Sequence, residues 1–87
     1  MGHLHYKVEL EQKDKVQVTL DRAANVLLMD PANYVQYKLG NDCEYYGGQA
    51  KQSPVVLAPP FRGEWHVVID LDGKPGSVRA NVTVLHS

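Results

Sequence analysis

Four histidines, one cysteine and five tyrosines offer most of the chemistry in this 87-residue sequence. His3 and His5 put two imidazoles on one face of an extended segment, ~7 Å apart by strand rise. A metal ion needs a third or fourth ligand. His66 or His86 could supply one, but neither is near in sequence. Surface strand positions commonly hold histidine, so the pair reads as solvent-facing. Asp70-x-Asp72-Gly73 opens like a calcium loop but lacks the further acidic positions and the closing bidentate Glu; it reads as a turn. Cys43, His66 and an aspartate would form a nucleophile set only with an activating environment, which no local signature supplies. Cys43 therefore reads as a buried or half-buried structural thiol. Gly47-Gly48 and Gly73-Lys74-Pro75-Gly76 match no phosphate-cradling spacing. These readings predict no catalytic residue, no metal and no cofactor.

The tyrosines point elsewhere. Tyr34, Tyr37, Tyr45 and Tyr46 fall within thirteen residues of a chain with seven aromatics. Each offers a flat apolar face and a hydroxyl, which suits recognition of a sugar, a base or a protein. Arg62 follows a Pro59-Pro60 loop and could add charge or stack on a ring. Together these five residues form the candidate binding surface. The competing reading is packing, since tyrosine is intermediate in burial. Tyr45 and Tyr46 are adjacent, so at most one should point into a two-layer core.

The elements that must position these residues are mostly strands. Leu4, Tyr6, Val8 and Leu10 alternate with polar residues, and Val16, Val18 and Leu20 do so again after Gln12-Lys13-Asp14. Period two marks a strand with one face in the core, and the short polar break predicts an antiparallel hairpin. Asn25 to Asp30 is apolar on both parities, as in a central strand covered on both faces. Asp30-Pro31 is a helix start, with Asp as the N-cap and Pro at the first helical position. Gly40 is a stop, giving a short helix or helical turn near 31–39. Cys43 to Tyr46 looks strand-like and Gly47-Gly48 breaks or bulges it. Val55-Val56-Leu57 is another strand, ended by Pro59-Pro60. In Glu64 to Leu71, Trp65, Val67, Ile69 and Leu71 share one face and His66, Val68 and Asp70 the other. Val78, Ala80, Val82 and Val84 form the last apolar face after dense turn chemistry at 72–76. About seven strands with regular punctuation predict one all-β domain over 1–87, a small antiparallel β-sandwich or flattened barrel.

Composition narrows the function classes. Nine Lys and Arg against ten Asp and Glu give a formal net charge of -1, and both signs are scattered. That argues against a nucleic-acid partner, which needs a basic stripe for phosphates, and against a polybasic membrane patch. The longest apolar runs, Val26 to Met29 and Val55 to Pro60, are far shorter than the ~20 residues of a spanning helix. One cysteine permits no internal disulfide, whereas small secreted domains usually carry several. With no signal-peptide pattern at the start, a soluble cytoplasmic protein is expected.

The order of several short motifs carries a resemblance. Asn25-Val26-Leu27-Leu28-Met29-Asp30, Asn33-Tyr34, Tyr45-Tyr46-Gly47-Gly48, Ser53-Pro54-Val55 and Gly63-Glu64-Trp65-His66-Val67-Val68-Ile69-Asp70 together resemble a small bacterial family known as domain of unknown function 1883. Its members occur alone or ahead of a TIR-type signalling domain. The resemblance implies an all-β fold and a bacterial source, and it brings no catalytic residues. Any TIR-type partner would be a separate protein here. The expected function is a non-catalytic binding or interaction module, with an unidentified protein or small molecule as partner. A homo-oligomeric structural subunit is the second reading, and a small enzyme the third.

Overall fold

The computed structural model describes residues 3–71 and 73–86. Among them the chain forms β1 (Leu4–Leu10), β2 (Lys15–Leu20), β3 (Ala24–Met29), α1 (Pro31–Lys38), β4 (Tyr46–Ala50), β5 (Val55–Leu57), β6 (Gly63–Asp70) and β7 (Ala80–Leu85). The larger sheet has the order β1-β6-β3-β4 and the smaller β5-β2-β7, with every pairing antiparallel. The fold is the expected small β-sandwich of seven strands with one short helix.

The expected hairpin between the first two strands does not form. β1 pairs with β6, whereas β2 pairs with β5 and β7 in the other sheet. A tight turn joins them. Asp14 Oδ2 accepts from the Glu11 amide at 2.9 Å, and the Asp14 amide donates back to the Glu11 carbonyl at 3.0 Å. This local loop carries the chain from one layer to the other. Alternation reports that one face is buried; it does not report which strand supplies the hydrogen bonds.

Both alternating faces reach the same core from opposite sides. Leu10, Val16, Val18, Val26, Leu28, Trp65, Val67 and Ile69 are buried between the sheets, with Leu4, Tyr6 and Val8 packed against them. Each Val, Leu or Ile fully removed from water contributes ~1.5–3 kcal/mol. The other side of β3 is covered too. Leu27, Met29 and Val68 form a second apolar cluster with Tyr34 of α1, and Tyr37 packs beside it. β3 is thus a central strand buried on both faces, as its apolar run required.

α1 is held by its ends. Asp30 Oδ1 accepts from the Asn33 amide at 2.8 Å, satisfying one of the orphan donors of the first turn. At the other end Gly40 takes a φ of 79° and donates to the Tyr37 carbonyl. β4 begins later than the sequence suggested. The segment before Tyr46 is not strand, and Gly47-Gly48 lies within β4 rather than breaking it. Gly47 pairs with Leu27, and a Cβ there would run into the Val26 carbonyl oxygen. The bare backbone lets β4 approach β3. No helix among the described residues is long and apolar enough to cross a membrane.

Candidate functional site

Antiparallel pairing of β1 with β6 sets Lys7 opposite His66 and His5 opposite Val68. The polar positions of both strands therefore share the outer face of the larger sheet. His3, His5 and Lys7 come from the β1 side, and Glu64, His66 and Asp70 from β6. α1 crosses this face and lowers two tyrosines onto it. Tyr34 and Tyr37 are three residues apart, so they project from one side of the helix.

A chain of hydrogen bonds runs through the cluster. His66, 7% exposed, is 2.8 Å from Glu64 Oε2 through Nε2 and 2.6 Å from His5 Nε2 through Nδ1. A carboxylate only accepts, so His66 Nε2 carries its hydrogen toward Glu64. The His5 and His66 rings are within 14° of parallel, and Tyr34 stacks on both, with centroids 4.1 Å and 4.7 Å away. Lys38 Nζ lies 4.8 Å from the Tyr34 ring centre, a cation–π contact. The Tyr34 hydroxyl meets His3 Nε2 at 3.2 Å, and His3 stands edge-on to Tyr37. Tyr37 donates its hydroxyl to Asp70 Oδ2 at 2.6 Å, while Asn25 Nδ2 donates to Asp70 Oδ1 at 3.1 Å.

These contacts set the charges. Burial, then the nearby His66, His3 and Lys38, push the His5 imidazolium pKa below the ordinary histidine value. The hydrogen bond from His66, with Lys7 3.4 Å away, holds the Glu64 carboxyl below the usual carboxylate range. Burial and the bond to Asp70 raise the Tyr37 hydroxyl well above the usual tyrosine value. Among the described residues no three His, Cys, Asp or Glu side chains are grouped to hold a metal ion.

Beside this cluster, where β1 begins and β6 ends, an open cleft of about 560 Å³ is walled by Leu4, Ile69, Leu71 and Val78. His3, Tyr37, Asp70, Lys74 and Ser77 supply its polar groups. Neither His66 nor Cys43 lines it.

A family model described as Domain of unknown function (DUF1883) matches residues 1–87, the whole chain. The chain belongs to that family. No curated protein and no solved structure matches it.

In this DUF1883 domain the five candidate residues divide between places. Tyr34 and Tyr37 join the histidine cluster, and Tyr34 is buried. Tyr45 and Tyr46 are about half exposed, and Tyr46 meets the Trp65 ring edge-on. Arg62 stands at the strand ends opposite the cleft, 3.9 Å from Glu11. It does not join Tyr37 on one surface, because Gly63 pairs with Leu10 at one end of β1 while Asp70 lies beyond Leu4 at the other. Phe61, unremarked in the sequence, is half exposed and packs on Trp65, which Tyr46 also meets.

Of the histidine pair, His5 is exposed as expected and His3 is half-buried. His3 and His5 sit on the outer face, but α1 brings tyrosine rings against both. His66 does approach, whereas His86 turns to Asp14 at 3.3 Å. Cys43 is half buried. In the supposed calcium loop Asp70 is bonded to Tyr37 and Asn25, and Asp72 lies outside the described residues.

Proposed function

We propose that this domain is a non-catalytic binding module and that the cleft at His3, Tyr37, Asp70 and Lys74 takes a small polar organic molecule. The cleft itself carries the reading. Its volume of about 560 Å³ falls within the range of ~300–1,000 Å³ that small-molecule sites occupy. Its apolar walls and few convergent polar groups are the usual composition of such sites. Tyr37 and Asn25 donate to Asp70 before any ligand arrives, so this carboxylate is positioned in advance. A lone thiol suits a reducing compartment, which favours the cytoplasm of a bacterial cell. The resemblance to proteins that precede a TIR-type domain favours a role beside such signalling.

The test is a panel of sugars, nucleosides and amino acids, read by amide and side-chain shifts of the full chain. A binder should perturb His3, Asp70, Lys74 and Ser77 together and raise the melting temperature by mass action. Lys74→Ala should weaken it without altering the fold. A panel that moves none of these resonances counts against the cleft.

The half-exposed aromatics favour a second reading. Tyr46 and Phe61 flank Trp65 with Arg62 beside them, the residue types enriched at protein interfaces. A self-associating subunit would bury this rim. Sedimentation that stays monomeric at high concentration would remove that reading.

A further inference from the structure

The facing nitrogens of His5 and His66 are 2.6 Å apart, a gap with room for one hydrogen. Glu64 keeps the other hydrogen of His66 on Nε2, because the carboxylate accepts it at 2.8 Å. His66 therefore has only Nδ1 left to gain a proton, and that atom points at His5. With both rings neutral, His5 carries its hydrogen on Nε2 and donates it across the gap. A first added proton goes to His5 Nδ1, and the contact persists as a charge-assisted bond. A second would go to His66 Nδ1 and set N–H against N–H, so the rings must part.

We propose that the His5–His66 pair is a proton-operated latch on α1, closed while a single hydrogen sits between the rings and opened when each facing nitrogen carries its own. Tyr34 connects the latch to the helix. Its ring lies flat on both imidazoles, so parting them removes one part of the surface on which it rests, the apolar part on Leu27, Met29 and Val68 remaining. Other groups facing the pair act with or against it. From β1, His3 and Lys7 add positive charge. From α1, Lys38 adds more beside Tyr34 and Tyr37. From β6, Glu64 and Asp70 oppose it. β3 contributes no titratable group there, only Leu27 and Met29 beneath Tyr34. Opening is local. The Asp30 cap and the Tyr37–Asp70 bond involve neither histidine, so α1 loosens at Tyr34 while the sandwich stays intact.

The latch adjoins the cleft but does not depend on it, because the experiment uses the ligand-free chain. Imidazole ¹⁵N spectra and amide exchange of α1, corrected for chemical rate, are followed from about pH 7.5 to about pH 5, the histidine range. Protection in α1 should fall about tenfold, the factor equal to one pKa unit of coupling, where both rings become doubly protonated. β2 and β7 should not change. His5→Gln should make α1 protection independent of pH, and so should His5→Phe, which keeps a ring under Tyr34. Unchanging α1 protection in the wild type, or the same fall in both variants, overturns the latch.

Discussion

Glu64 orients the histidine array, since its carboxylate decides which nitrogen of His66 bears hydrogen. Its own pKa is depressed from 4.5. A depressed carboxyl contributes stability that is present above its unfolded value and lost as pH falls through its folded value. Glu64→Gln should therefore be less stable than wild type at neutral pH, with the gap closing below pH 4.5. Urea melts at neutral pH and at about pH 3 measure it, and a gap that survives at low pH would mean the charge is not what matters. Tyr37 carries the second argument at this scale. Tyr37→Phe removes a donor to an ionised oxygen and should cost about 1–3 kcal/mol, visible as a lower denaturant midpoint. Its raised pKa predicts the opposite pH dependence from Glu64. The stability it adds is present below the unfolded value of 10.0 and fades as pH climbs above it. A fully exposed contact tyrosine would show neither effect.

The elements show where local pattern is informative and where it is not. α1 was legible because its signals are local. The Asp30 cap, Pro31 and Gly40 all act within a turn of their own position. The buried faces of β3 and the Trp65 face of β6 were legible from parity alone, whereas the burial of His66 and Val68 under α1 was not. Partnership was not. The break at Gln12 to Asp14 resembles a hairpin, and only the paired structure shows that it changes layers. The candidate site was lost with that pairing. His5 and Glu64 lie on polar parities of two strands, and nothing between them in sequence says that those strands touch. β4 gives the element-scale prediction. Gly47 has a φ of 108° with the Val26 carbonyl where a side chain would go. Gly47→Ala should cost at least ~1–3 kcal/mol from backbone strain, with faster amide exchange in β4 than in β2. An alanine that leaves the melt unchanged would show that β4 moves freely on β3.

At the scale of the whole molecule one core joins both sheets, and Trp65 is its largest fully buried side chain at 1% exposure. Its indole NH is also satisfied, donating to the Phe61 carbonyl at 3.0 Å. Trp65→Ala should cost ~3–5 kcal/mol, a large part of the ~5–15 kcal/mol that holds a domain together. Iodide should quench its native fluorescence poorly. Efficient quenching would place the ring outside the core. The crossing between layers at Glu11 to Asp14 has a further consequence, in time rather than space. β1 waits for β6 and β2 for β7, so Leu4 meets Ile69 and Lys15 meets Leu85. Such distant pairings make folding slow compared with helical domains. On the ribosome β1 stays without its neighbour until β6 has emerged. A nascent chain stalled before β6 should be protease-sensitive throughout, and one released after β7 should become resistant in a single step.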